Sequence, residues 1–308
     1  MRTVFIRTLT DLAKRDPRIL LLTGDLGYLA LEPFAEACPD RFFNVGIAEQ
    51  NMVGLATGLA EAGFIPFVYS IVPFAALRPY EFIRNGPIQH RFPVRVVGVG
   101  GGFEYGTNGL SHIGLEDVAV MRAQPGIRVI VPADPQQARS ALQATWDSRG
   151  PIYYRIGKDD KQTVPGLEGR FEPGKLQRLG HGADLLIVAM GAIASEAAAA
   201  VELLGRQNVR CSLVVVADVN PPPAEELGLL LRRFPVALSV EAHYCVGGLG
   251  SLMAEIIAQE GIHCRLVNCG VKTTPISVTG SQRFFQEFHG LSSERLAKRA
   301  LEVLNGTA

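Results

Sequence analysis

Apolar positions fall into two kinds of run along the chain. Compact, mostly apolar blocks predict buried strands at 19–23, 42–45, 65–70, 94–99, 127–131 and 152–155, and again at 185–190, 211–217, 236–240 and 264–267. Between them apolar residues return at helical spacing. That pattern predicts helices over 1–10, 31–37, 48–62, 73–90, 137–146, 194–204, 224–233, 249–259 and 293–304. Strand and helix alternate, and uniformly apolar strands are buried on both faces. The expectation is therefore an α/β fold with mostly parallel sheets covered by helices on either side. The stretch 161–180 lacks this periodicity and carries Pro165, Gly166, Gly169, Pro173 and Gly174. It predicts a connection between two three-layer α/β/α domains.

A chain of 308 residues is long enough for two such domains. Its 30 Lys and Arg balance 30 Asp and Glu. The charges are scattered, which argues against nucleic-acid and membrane-surface binding, since both want clustered basic residues. The apolar blocks are far shorter than a membrane span, and residues 1–10 form an amphipathic pattern without signal-peptide features. Cys38, Cys211, Cys245, Cys264 and Cys269 are odd in number and lack metal-ligand spacing. They read as reduced thiols of a soluble, cytoplasmic protein.

Chemistry concentrates at 41–60. Gly46 ends the strand there, and Glu49 falls in the first turn of the following helix. The helix dipole favours a carboxylate at that place and apolar surroundings disfavour it, so Glu49 suits proton sharing as well as plain dipole compensation. Gly54, Ala56, Gly58 and Ala60 leave the helix little bulk on one side, which predicts close approach of another rigid surface.

The run Asn44-Val45-Gly46-Ile47-Ala48-Glu49-Gln50-Asn51, followed by Gly-Leu-Ala-x-Gly-Leu-Ala, resembles the pyrimidine-binding domain of the transketolase family of thiamine diphosphate enzymes. The resemblance runs from Leu20 to the C-terminus and covers the second half of a full-length transketolase. It implies a pyrimidine-binding domain over 1–162, a linker over 163–182 and the transketolase C-terminal domain over 183–308. It also implies that Glu49 hydrogen-bonds the aminopyrimidine ring of thiamine diphosphate and promotes the tautomer that activates the thiazolium carbon.

Other positions gain roles from the same resemblance. Asp25 follows the 19–23 strand, where open parallel sheets bind ligands. It could equally cap the next helix, and the resemblance puts it near the cofactor. Phe74 is the implied stacking partner of the pyrimidine ring. Tyr69 is the alternative, because Ser70-Ile71-Val72-Pro73-Phe74 departs from the family's Ser-Thr-Phe spacing. The glycine-rich run from Gly100 leads to Asn108, Ser111 and His112, then Glu116 and Asp117. This resembles the family's Asp-Gly-x-Thr-His-x-x-x-Glu segment, in which the His bonds the donor sugar's oxygens. The family's Asp is Asn108 here, which keeps a hydrogen bond and loses a charge. The family's phosphate-binding Arg falls on Lys158, with Arg155 three residues earlier, and either side chain can hold a phosphate. The run from Glu241 to Gly250 resembles the C-terminal domain signature and implies fold and interface roles for Glu241 and His243.

The family anchors the diphosphate through Mg²⁺ (or Ca²⁺), held by Gly-Asp-Gly and a later Asn. Here Gly24-Asp25 is followed by Leu26, and no metal-ligand set is legible. The resemblance thus implies the C-terminal subunit of a split transketolase. It would act on sugars or sugar phosphates with an N-terminal partner subunit that carries the diphosphate-binding domain, in an α2β2 assembly. The alternatives are a deoxyxylulose phosphate synthase-like enzyme, the beta subunit of a 2-oxo acid dehydrogenase decarboxylase, and a non-catalytic assembly subunit.

Overall fold

The computed structural model describes residues 1–275 and 277–306. The first half folds as α1 (Arg2–Ala13), β1 (Ile19–Thr23), α2 (Glu32–Ala37), β2 (Phe42–Asn44), α3 (Glu49–Glu61), β3 (Ile65–Ile71), α4 (Val72–Ala76), α5 (Tyr80–Ile83), β4 (Arg95–Val99), α6 (Asp117–Arg122), β5 (Arg128–Ile130), α7 (Pro135–Thr145) and β6 (Ile152–Ile156). The second half adds β7 (Gln177–Leu179), β8 (Leu185–Met190), α8 (Ala194–Gly205), β9 (Cys211–Val215), β10 (Asp218–Asn220), α9 (Ala224–Leu231), β11 (Val236–Tyr244), α10 (Leu249–Gln259), β12 (Arg265–Val271), α11 (Gln282–Phe288) and α12 (Ser293–Leu304).

A seven-stranded sheet in the order β10-β5-β6-β4-β3-β1-β2 and a five-stranded sheet in the order β12-β11-β8-β9-β7 form the two layers of strands. Among the described residues only β10 and β7 run antiparallel to their neighbouring strands. Side chains alternate across each strand, so one strand serves two cores. Ile19 and Leu21 of β1 pack with Phe5 and Leu9 of α1 and Leu142 of α7, whereas Leu20 and Leu22 pack with Met52, Val53 and Ala56 of α3. Each such buried aliphatic side chain contributes about 2 kcal/mol, which fixes the register of α3 against the sheet.

Three expectations change. The helix expected over 73–90 is broken, because Pro79 lacks an amide hydrogen and disfavours helical geometry at Arg78. The chain turns there, restarts as α5 and ends in a π-turn over Arg84–Ile88 around Pro87. The strand expected over 211–217 divides after Val215, and β10 crosses to the edge of the first sheet. Asn220 Nδ2 donates to Ile127 O at 2.7 Å and Asp218 pairs with Arg128 at 3.4 Å, which hold it there. Within 161–180, Val164 and Leu167 are buried in the second core and β7 forms the sheet edge.

A buried polar clasp joins the halves. Tyr153 Oη and Arg155 Nε both donate to Asp117 Oδ2, at 2.8 and 2.9 Å, and Arg155 Nη2 donates to Gly114 O and Ala242 O, each at 3.0 Å. His243 Nε2 accepts from the Ala119 amide at 3.3 Å, so its Nδ1–H donates to Tyr244 O at 2.8 Å. Glu241, also fully buried, accepts from the amides of Leu249 and Gly250 at 2.7 and 2.8 Å. No helix among the described residues is long and apolar enough to cross a membrane, and the five cysteines are free.

Candidate active site

The site forms at the carboxyl ends of β1, β2 and β3, where open parallel sheets leave a crevice. Glu49 is the first residue of α3, and its N-cap, Ala48, makes no side-chain capping bond, so unfilled helix N–H groups lie beside the carboxylate. Only 3% of the Glu49 side chain is exposed. Gly24, at the end of β1, leaves the space: a Cβ there would lie 3.1 Å from Gly46 O and 3.7 Å from Glu49 Oε1.

Arg78 closes over this carboxylate. Its Nη1 donates to both Glu49 oxygens at 3.0 Å, and its guanidinium carbon lies 3.9 Å from the centroid of the Phe74 ring. The Phe74 ring meets His112 edge-on at 5.1 Å. Ser111 Oγ then bonds His112 Nδ1 at 2.9 Å, fixing the imidazole. Glu49, Phe74, His112 and Ser111 are thereby brought into one chain of contacts, and its link between Glu49 and Phe74, Arg78, is one that sequence reading did not single out. The signal was present in Pro79: a proline directly after an arginine turns that arginine out of the helix.

Beyond His112 the wall continues through Tyr105, 6.5 Å away between ring centroids. Lys158 Nζ sits 4.5 Å from the centroid of the same Tyr105 ring. The backbone amide of Lys158 donates to Glu104, whose carboxyl is pushed up to about 7, chiefly by burial. Asn108 is exposed and its Oδ1 accepts from Thr107 at 3.3 Å, away from the Glu49 contacts. Asp25 is exposed on the rim at φ 55°, held by Asn44, whose Oδ1 accepts from the Asp25 amide at 2.9 Å. It does not cap α2, whose N-cap is Leu31.

Two expected ligands are turned elsewhere. Tyr69 is 1% exposed and packs on the α1 side of the sheet with Phe67 and Phe5, opposite α3, so it has no ring face to offer beside Glu49. Arg155 is buried in the clasp with its Nε and Nη2 donors committed to Asp117, Gly114 and Ala242. Its side chain is only 5% exposed, so Lys158 is the one of the two cations that faces solvent.

Residues 1–162 match the transketolase pyrimidine binding domain, and residues 174–296 match the transketolase C-terminal domain. The chain belongs to the transketolase family. It is 34% identical to a putative transketolase C-terminal section of Methanocaldococcus jannaschii, over 99% of this chain and 96% of that one. It is 30% identical to one of the subunits of an apulose-4-phosphate transketolase of Phocaeicola vulgatus, over 98% of this chain and 97% of that one. A solved structure described as a split gene transketolase, inactive beta4 tetramer, superposes with a TM-score of 0.87 at 32% identity, covering 99% of this chain and 97% of that chain.

For a transketolase-family cofactor the residues present fit the ring end. A buried carboxylate and a half-buried phenyl face already hold a flat, hydrogen-bond-donating group between them, the guanidinium of Arg78. Among the described residues no group of three or more His, Cys, Asp or Glu side chains is placed to hold a metal ion.

Proposed function

We propose that this chain is the C-terminal-type subunit of a split, thiamine diphosphate-dependent transketolase, moving a two-carbon ketol unit from a ketose or ketose phosphate to an aldose in the cytoplasm. The observation that carries the reading is the contact chain from Glu49 through Phe74 to His112 at the strand ends of a transketolase-family fold. When bound, thiamine diphosphate supplies a nucleophilic carbon that adds to the ketose carbonyl. Glu49 orients the aminopyrimidine edge and shares its proton, because a carboxylate shielded from water is not satisfied by solvent. Phe74 offers the stacking face. His112, fixed by Ser111, presents its Nε2 side to the donor's oxygens, with Asn108 further along the loop and Lys158 at the phosphate end. Residues 1–162 would act as the pyrimidine-binding unit and 183–308 as the C-terminal unit, joined through 163–182.

The diphosphate and its Mg²⁺ or Ca²⁺ would be held by an N-terminal partner subunit in an α2β2 assembly. Two features support a covering chain. Tyr28 and Leu29 after β1, Phe43 in β2 and Ile47 just after it are 41–91% exposed. Such a rim of large apolar side chains is the usual mark of an interface. The similar solved structure, a split gene transketolase, is described as an inactive beta4 tetramer.

The test is hydrogen–deuterium exchange at the thiazolium carbon in a complex reconstituted with the partner subunit. Glu49→Gln keeps the shape and loses the shared proton, so exchange should slow by about a hundredfold or more while assembly persists. An unchanged exchange rate would remove Glu49 from its assigned role.

A further inference from the structure

We infer that Arg78 is a built-in placeholder for the aminopyrimidine ring, covering Glu49 and Phe74 until the cofactor displaces it. The inference rests on the thiamine diphosphate reading above. A guanidinium and an aminopyrimidine share three properties: both are flat, both stack on an aromatic face, and both can set an N–H against a carboxylate, the guanidinium always and the aminopyrimidine once its ring nitrogen takes up the shared proton. Arg78 uses all three. Its Nη1 bonds both oxygens of Glu49 at 3.0 Å while its plane covers Phe74 at 3.9 Å. Two flat groups cannot share one stacking face and one carboxylate edge, so ring and guanidinium exclude each other.

The resting arrangement has a physical purpose. Among the described residues Arg78 is the only side chain bonded to the Glu49 carboxylate, and losing it without replacement would leave a buried acceptor unpaired. Arg78 is also free to leave. Its side chain is 45% exposed, so water can solvate the departing charge. It lies in the turn that Pro79 creates between α4 and α5, outside both helices, so its reorientation breaks no helical ladder. A population held closed in this way lowers the apparent cofactor affinity by the fraction that is open.

Calorimetric titration of the reconstituted complex with thiamine diphosphate decides between placeholder and ligand. Arg78→Ala should bind roughly tenfold more tightly than the wild type, since the competing contacts vanish. Arg78→Lys keeps the charge without the flat face and should fall between the two. In the cofactor-free chain, NMR of the Arg78 guanidinium should report slowed rotation and solvent exchange, both released by Glu49→Ala. Weaker or equal cofactor binding by Arg78→Ala, or a guanidinium indifferent to Glu49→Ala, overturns the placeholder. A guanidinium clamped as described in a wild-type complex that binds no thiamine diphosphate overturns the cofactor reading, and the placeholder with it.

Discussion

His112 is held from two directions: Ser111 bonds its Nδ1 and the Phe74 ring abuts its edge. A histidine in a glycine-rich loop would otherwise sample many orientations, and this restraint would suit the substrate-facing role proposed for it. Loss of one substrate contact made in the transition state costs on the order of 2–4 kcal/mol, so His112→Ala should lower turnover about a hundredfold or more. Cofactor affinity should hardly change, because among the described residues His112 is linked to Glu49 only through Phe74 and Arg78. Steady-state kinetics on a ketose phosphate beside a cofactor titration separates the two effects; a defect confined to cofactor affinity would move His112 out of the substrate channel. Glu49, Phe74 and His112 were legible as residues because each lies at the end of a predicted strand or in a short local pattern. The surroundings of Tyr69 and Arg155 were not legible, for the opposite reason. Which sheet face a strand residue occupies, and whether a nearby carboxylate such as Asp117 takes an arginine's donors, depends on partners far away in sequence.

At the scale of elements, α3 has two unlike faces. Met52, Val53, Ala56 and Ala60 are buried against the sheet, whereas Gly54, Leu55 and Gly58 face outward, with Leu55 at 45% exposure and the neighbouring Phe82 of α5 at 42%. A Cβ on Gly58 would meet nothing within 4 Å in this chain. Its absence therefore gives the chain no packing benefit and costs helix stability, which is understandable where another surface comes close. Gly58→Ala should raise the stability of the isolated chain by about 0.5–1 kcal/mol in urea unfolding, as alanine is the better helix former. The same change should weaken association with the partner subunit, measured by analytical ultracentrifugation of the mixture. A variant that is more stable and assembles normally would place the partner elsewhere. The helix pattern that revealed α3 failed over 73–90, where apolar periodicity continued through a backbone that Pro79 and Pro87 had already interrupted.

The whole molecule is held at the junction of its halves by groups that are ionisable and buried. Burial lowers the His243 pKa from 6.5 to about 4, because protonation would both charge a dry site and remove the acceptor for the Ala119 amide. Unfolded His243 takes its proton near 6.5 and the folded one resists until about 4, so the unfolded state binds more protons in that window. Stability from this residue is present above pH 6.5 and is lost as pH falls, by about 3 kcal/mol in all. Glu241 works in the reverse sense: burial raises its carboxyl to about 7, so the folded state binds more protons between 4.5 and 7 and acid favours it. The two trends offset in the wild type. The stability difference between wild type and His243→Ala, taken from urea unfolding at about pH 7 and about pH 4.5, isolates the histidine. It should shrink on acidification, and a difference that is constant or grows would show that His243 is not neutral in the fold.

Hydrophobic patterning determined most of the strand and helix order, the mostly parallel character of both sheets and the place of the Glu49 helix, because strands buried on two faces and helices buried on one leave different periods in the chain. The local motif at 44–51 and the segment from Asn108 to Glu116 carried the resemblance to the family. The tertiary structure alone decided that β10 leaves its own half for the other sheet, that Arg155 closes a clasp with Asp117, and that Arg78 covers the Glu49 carboxylate. The physical reason is common to all three. Periodicity reports whether a residue is buried, but not which partner buries it, and hydrogen bonds between residues 29 to 87 positions apart leave no period in the sequence.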